Sequence, residues 1–483
     1  MSASRRTRTV FVALAKATTG LAHLLILAVL ARVLTKSDLA TYQQVFLAYA
    51  FVAPFLQLGI GQGFYYFLPV EKTRSRGRIA DAIVVMATTG AMFAAFIAFG
   101  GNRLIAQAFE NPQISILLLW LIPYAILVTP SSQAQHALIS QGQEIRSTKF
   151  TLSREVIICV STLAPLLYTT NVSGPLIGNI CSSIAMAFVA FRLMSSSTPA
   201  SASSPTISGI RELVSYAVPL GLAVMVGTLF KQLDKLVVSI LRSPEEFAVY
   251  SLGAIEIPLI TIVTGSITAV ILADMRQAVS KNHFEEAVAL FRKIAEKSAY
   301  ILLPSTAFLL ICADSLIALL FSSEYADSSI PFRIYLATVP TRIVLFGTFL
   351  AILGKSKTFL KITILSLLAN LVLTWLLVSQ LGPNGAAIAT VAVILFWQAP
   401  ASCFAISKAI KTPIKQILPW AVLLKSSLLL VALSTALWVL YNYLSGFDHV
   451  WRLGICAGVF GIPIIIWWGQ GLLFDWKSIR NND

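Results

Sequence analysis

Long apolar runs recur along this chain with little between them, and that pattern leaves few folds open. Crossing the hydrocarbon core of a bilayer takes about 20 mostly apolar residues. Inside lipid every backbone polar group needs a partner within the protein, which favours helices. Such runs are predicted near 9–34, 40–69, 79–100, 114–139, 151–169, 174–194, 211–241, 247–275, 298–321, 331–353, 359–381, 384–407, 417–443 and 450–474. Turn residues separate them at Asn171–Pro175, Ser243-Pro244, Leu381–Gly385 and Ser445-Gly446. The expectation is an all-α integral membrane protein with about 14 transmembrane helices. With 57% hydrophobic residues, 12% charged and a mean hydropathy of +0.81, no segment is polar enough for a soluble domain of useful size.

The net charge of +15 would suit a nucleic-acid binder if the bases were clustered on one face. Instead they fall in short groups between apolar runs, as in a membrane protein oriented by its cytoplasmic loops, and no nucleic-acid partner is expected. With the N-terminus inside, 25 of the 36 Lys and Arg fall on the cytoplasmic side, six on the other and five within helices. This predicts a multi-pass membrane protein with both termini cytoplasmic. Arg5, Arg6 and Arg8 start like a signal peptide, but the apolar stretch runs on to Leu34 without a small-residue cleavage site, so a retained first helix is expected. The five cysteines lie in apolar runs without metal spacing and are read as packing residues. The connection 276–297 repeats Phe284, Ala287, Val288, Phe291 and Ile294 at helical spacing. It reads either as a basic amphipathic helix on the inner membrane surface or as a solvated connector.

The chain also echoes itself. Val33-Leu-Thr-Lys-Ser-Asp-Leu-Ala-Thr-Tyr42 matches Ile240-Leu-Arg-Ser-Pro-Glu-Glu-Phe-Ala-Val-Tyr250 with the tyrosines 208 residues apart. Gly142 and Gly354 are 212 apart, and Gly174 and Gly385 are 211 apart. Six helices lie between the copies, so the halves share one orientation, as in parallel repeats about an axis along the membrane normal. The predicted organisation is an N-lobe (1–194, helices 1–6), a Ser/Pro/Thr-rich cytoplasmic linker (195–210), a C-lobe (211–410, helices 7–12) and a remainder (411–483) with helices 13 and 14 and a tail.

Several of these segments are similar to one family. Leu34-Thr-Lys-Ser-Asp-Leu-Ala-Thr-Tyr42, then Gly59-Ile-Gly-Gln-Gly63 and Leu68-Pro69, resembles the start of bacterial polysaccharide flippases. Ser315-Leu-Ile-Ala-Leu-Leu-Phe321 with Tyr325 and Ala326 resembles their exit from the ninth helix. Gly354-Lys-Ser-Lys357, Asn370-Leu371 and Leu381-Gly-Pro-Asn-Gly-Ala-Ala-Ile388 are similar to their eleventh and twelfth helices. The resemblance is to the oligosaccharide-flippase (Wzx-type, O-antigen transporter) family of the MOP (multidrug/oligosaccharidyl-lipid/polysaccharide) exporter superfamily. It implies transport of an undecaprenyl-diphosphate-linked oligosaccharide from the inner to the outer leaflet of the bacterial inner membrane, for O-antigen, lipopolysaccharide or exopolysaccharide biosynthesis. The superfamily also holds lipid II flippases and ion-coupled multidrug (MATE) exporters, which stand as alternatives.

Charges inside the membrane are costly and mark functional sites. Arg342 sits near the midplane of its predicted helix, either lining a cavity or held in a structural ion pair. Lys231, Asp234 and Lys235 share one face of helix seven at i, i+3 and i+4, with Pro219 and Gly221 earlier in the same helix. The lysines either face a cavity or snorkel outward. Lys16 shares a face with Gly20 and His23 in helix one. Glu256 reads as an acid well inside helix eight, to be paired with Lys231, Lys235 or Arg342 or to take up a coupling H+ or Na+. Arg342, Lys231, Lys235 and Lys16 are therefore the candidate cationic substrate site, because arginine and lysine offer charge-assisted bonds to a diphosphate. Asp234 and Glu256 are the ion-pair or coupling candidates. Gln57, Gln62, Tyr65, Tyr66 and Gln133 are candidates for sugar contacts or for an interfacial belt. The lobes 9–194 and 211–407 would rock in alternating access. A membrane-embedded polymerase or glycosyltransferase is disfavoured by outer connections of about a dozen residues or fewer. No phosphate loop, metal cluster, cofactor motif or nucleophile arrangement appears in the sequence.

Overall fold

The computed structural model describes residues 5–70, 73–198 and 204–461, without the side chains of residues 5–16 and of scattered positions including Lys425. Among the described residues there are helices and turns and no strand. The chain opens with α1 (Arg5–Val33), α2 (Lys36–Gln57), α3 (Ile60–Val70) and α4 (Ser75–Phe96). Thr35 starts α2, its hydroxyl accepting from the Asp38 amide at 3.1 Å. Next come α5 (Leu121–Ser131), α6 (Ala134–Ser140), α7 (Glu144–Leu163), α8 (Ser173–Ser197) and the long α9 (Ile207–Leu241). They are followed by α10 (Pro244–Gly253), α11 (Pro258–Ser280), α12 (Phe284–Ile311), α13 (Ala313–Leu320) and α14 (Ser329–Leu336). The remainder is α15 (Val339–Ile343), α16 (Phe346–Ile352), α17 (Ser356–Leu381), α18 (Pro383–Val393), α19 (Ala399–Ile410) and α20 (Trp420–Tyr443), with a further helix from 449.

Ten helices are long and apolar enough to cross a membrane among the described residues, or eleven if Ser323–Leu336 and Val339–Ile352 form one bent span. This is a multi-pass membrane protein. The predicted fourteen exceeds that number. Over their described parts the first and thirteenth runs reach this standard only as shorter segments, Ala17–Val33 and Leu430–Tyr443, and much of 450–474 lies outside the described residues.

Contacts divide the chain into two compact units. The first holds residues 1–251 with 356–393, and the second holds 252–355 with 394–483. In the first, α9 packs along α2, α3, α4 and α17. The α2/α3 break lies at Leu58 and Gly59, both with positive φ (48° and 68°). A Cβ on Gly59 would come within 2.3 Å of the Gly221 Cα of α9, so two backbones touch where neither residue has a side chain. Buried polar groups tie the same helices together. Asn111 donates to Thr41 (2.8 Å) and to Gln44 (2.7 Å), and Gln44 donates to Ser239 of α9 (2.9 Å). Each is 4% exposed or less, and in lipid such groups must satisfy one another.

In the second unit α12 packs on α11 and α20. Ser315 of α13 joins the Tyr441 hydroxyl (2.7 Å) and the His449 ring (3.0 Å) above a cluster of Cys312, Leu437, Leu444, Leu453 and Cys456. The 276–297 segment corrects the sequence expectation. Arg276 lies near the end of α11, which runs to Ser280; residues 281–283 turn with Asn282 at φ 61°, and Phe284 begins α12. The apolar stripe Ala287, Phe291 and Ile294 is at most 1% exposed, and Phe291 stacks on Phe349 at 4.5 Å. That stripe covers protein rather than lipid.

Candidate functional site: charges at broken helices

Two predicted helices that lie wholly or partly in the second unit are broken where their charges lie. The run 247–275 reads as continuous, but α10 stops at Gly253 and α11 starts at Pro258. Proline has no amide hydrogen, and its ring clashes with the carbonyl four residues back, so a helix cannot pass smoothly through 254–258. Glu256 therefore stands in the break, just ahead of the N-terminus of α11, rather than well inside a helix. The run 331–353 likewise bends by 49° between α14 and α15, with Pro340 at the start of α15, and opens again at Val344 (φ −97°, ψ 110°). Arg342 lies in the last turn of α15.

An acid at a helix N-terminus and a base at a helix C-terminus each meet the favourable end of a helix dipole. Here the two side chains also meet each other, with Arg342 Nη1 3.8 Å from Glu256 Oε1. That separation makes an ion pair too long for a hydrogen bond. The side chains are 32% and 46% exposed, so neither is sealed in a core. Arg342 is one of the three bases the sequence offered to Glu256. Arg342 is accordingly a cation with a carboxylate beside it.

The first unit holds the other candidates. On α9, Asp234 is 3% exposed, and the buried Tyr250 hydroxyl donates to its Oδ2 at 2.7 Å. Lys231, one turn before it, is exposed, and Lys235 is half-buried. The i, i+3, i+4 triad thus splits, with the acid turned into the protein and the lysines more accessible. Lys235 lies within electrostatic reach of His23 on α1, whose side chain is solvent-accessible although surrounded by protein. The Lys16 side chain lies outside the described residues; its place on α1 is two turns before His23.

A further charge pair was missed in the sequence. Because the apolar run begins near residue 151, Arg154 read as a cytoplasmic loop base and Glu155 attracted no notice. The helix instead starts at Glu144, directly after the turn at Gly142 (φ 73°). Arg154 and Glu155 are then about 15 Å along α7 at 1.5 Å per residue. Glu155 is 8% exposed, accepts from the Thr19 hydroxyl of α1 at 3.3 Å and lies 3.4 Å from Arg154 Nη2. Tyr124 of α5 feels both charges and meets Tyr49 edge-on at 4.9 Å, while the Tyr49 hydroxyl pairs with Thr129 at 2.8 Å. The readable signal was Gly142 followed by Gln143-Glu144, a helix stop and an acidic restart. Among the sugar-contact candidates, Tyr65 and Tyr66 are exposed, Tyr65 meets His136 edge-on and Tyr66 stacks on Tyr216 at 4.3 Å; Gln133 is buried.

Residues 29–330, more than half of the chain, match the family described as "Polysaccharide biosynthesis protein". The chain belongs to this family. No curated protein matches it. Among solved structures, this polysaccharide-biosynthesis protein is similar to the lipid II flippase MurJ in an inward closed conformation. The TM-score is 0.74 at 16% identity, covering 95% of this chain and 98% of that one. It is also similar to a MOP superfamily transporter from Pyrococcus furiosus (TM-score 0.60, 15% identity, 85% and 97% covered). An inward-facing MATE family transporter gives TM-score 0.61 at 14% identity, with 85% and 96% covered. At these identities the likeness is one of fold. The polysaccharide-biosynthesis protein thus has the fold of MOP-superfamily transporters.

Proposed function

We propose that this polysaccharide-biosynthesis protein is a flippase that moves an undecaprenyl-diphosphate-linked oligosaccharide from the inner to the outer leaflet of a bacterial plasma membrane. The observation that carries this reading is the family match over residues 29–330, joined to a fold whose solved examples are transporters. Helices broken within a membrane support it, because irregular backbone at that depth is tolerated where it is buried in protein or lines a cavity. Arg342 at such a break is the contact proposed for the diphosphate, with Lys231 and Lys235 as further cations along the path. Glu256 holds Arg342 in place when substrate is absent and gives it up to phosphate oxygens, whose charge-assisted bonds are stronger than a 3.8 Å contact. Lys16 keeps its place as a candidate from the sequence. Both termini are proposed to be cytoplasmic, and a coupling H+ or Na+ remains part of the proposal.

The test is deletion in the source cell. Loss of surface polysaccharide with accumulation of the lipid-linked oligosaccharide is expected, restored by the wild-type chain. Arg342→Ala at normal protein level is expected to restore less than a tenth of it, and Arg342→Lys an intermediate amount, since lysine lacks the planar fork. Unchanged glycan with altered drug susceptibility would favour an exporter, and accumulated cell-wall lipid precursor would favour a lipid II flippase.

A further inference from the structure

The start of α9 is fastened to α4 by a cluster that transport of a headgroup does not require. Arg74, Arg78 and Asp81 lie at the start of α4. Asp81 is fully buried; it accepts the Thr206 backbone amide at 2.8 Å and lies 3.1 Å from Arg74. Arg74 also donates to the Thr206 hydroxyl. Thr206 caps α9 itself, its hydroxyl accepting from the Gly209 amide at 3.1 Å. Arg78, 4% exposed, donates to the Gly209 carbonyl at 2.9 Å and to Glu212, and lies 4.4 Å over the Phe67 ring. A Cβ on Gly209 would come within 2.3 Å of the Asp81 and Arg74 side-chain ends, so a larger residue there would push these groups aside.

Just along α9 the interface becomes apolar. Gly63 of α3 faces the fully buried Leu213, Tyr66 stacks on Tyr216, and Gly59 meets Gly221 backbone to backbone. Polar closure at the end and bare backbone contact farther in are the parts of a hinged clasp. Opened to water, the arginines and carboxylates regain hydration, which offsets the lost pairing. An apolar face of equal size would have no such compensation. The glycine crossing lets the helices pivot without prying side chains apart.

We propose that Arg74, Arg78 and Asp81 form a latch on residues 206–212, and that its release lets α9 swing from α3 and α4 and opens this end of the molecule. In the sequence repeat α4 belongs to the first half and α9 to the second, so the latch ties the two halves at the base-rich end, the cytoplasmic one in the proposed orientation. Its role in transport rests on the flippase reading, whereas its opening can be measured without any substrate.

The experiment uses full-length protein in detergent carrying Leu213→Cys, with maleimide labelling of residue 213 followed by peptide mass spectrometry so that native thiols do not interfere. Labelling of this otherwise wild-type protein is expected to be slow. Arg78→Ala and Asp81→Ala are each expected to speed it about tenfold, the effect of losing one net buried hydrogen-bonded pair. Glu212→Gln, at a side chain 58% exposed and so tolerant of change, is expected to speed it about threefold. Should the alanine variants fail to fold, Glu212→Gln decides alone. Folded variants whose residue 213 stays as protected as in the parent would overturn the latch, whatever the surface-polysaccharide assay shows.

Discussion

Asp234 sits among lysines in the sequence but answers to a tyrosine in the structure. The Tyr250 hydroxyl is its buried donor, so Tyr250→Phe leaves a buried carboxylate short of one hydrogen bond, at a cost of about 1–3 kcal/mol. Thermal unfolding of the purified variant measures this, and an unchanged midpoint would contradict it. Periodicity could put residues 231, 234 and 235 on one side of a helix, but it could not say which of them turns inward. That depends on residues 16 positions away in the chain. Asp314 offers a pH-dependent counterpart three residues past Ile311, where the α12 span ends. Burial alone would raise its pKa, but bonds from Arg333 (2.8 Å) and Ser329 and the nearby Arg452 outweigh burial and hold the carboxyl below its ordinary value. A depressed folded-state pKa gives stability that is present above the ordinary carboxylate range and is lost as pH falls through the folded value. Asp314→Asn is expected to flatten the acid side of a melting-midpoint-against-pH curve, modestly because the side chain is 47% exposed.

At the scale of elements, the apolar runs were legible because lipid imposes a length, and most described helices fall where those runs fall. Breaks were not, because a run of apolar residues looks the same whether or not its backbone is continuous. Pro258 and Pro340 were visible, yet a proline in a membrane helix is tolerated often enough that its presence does not announce a break. Helix ends set by polar residues were also missed, which hid Arg154 and Glu155 behind a starting point seven residues too late. The amphipathic stripe from Phe284 gave the right helix and the wrong neighbour, since periodicity reports an apolar face without naming what covers it. The α2/α3–α9 crossing yields an element-scale prediction. Gly221→Ala places a methyl 2.3 Å from the Gly59 Cα and is expected to destabilise by about 1–3 kcal/mol through overpacking. Gly227→Ala, with open space around it, is expected to be neutral or slightly stabilising. Equal melting midpoints for the two would contradict the close approach.

For the whole molecule, membrane residence and family were both within reach of the sequence, the first through hydropathy and the second through short motifs spread along the chain. Four intramembrane bases against two acids becomes a set in which Arg342 faces Glu256, Arg154 lies beside Glu155, and Asp234 is turned into the protein. Among the described intramembrane charges Arg342 and Arg154 each have a carboxylate beside them, and the proposed phosphate contact at Arg342 works by exchange of partners. The most direct measurement is reconstitution of the purified chain in liposomes holding a fluorescent polyprenyl-diphosphate-linked oligosaccharide, with an impermeant glycosidase outside. Wild-type protein is expected to expose the inner-leaflet pool to the enzyme well above protein-free liposomes, and Arg342→Ala to do so at least tenfold more slowly. An inner pool that stays as protected as in protein-free liposomes, with the protein folded and inserted, would contradict it.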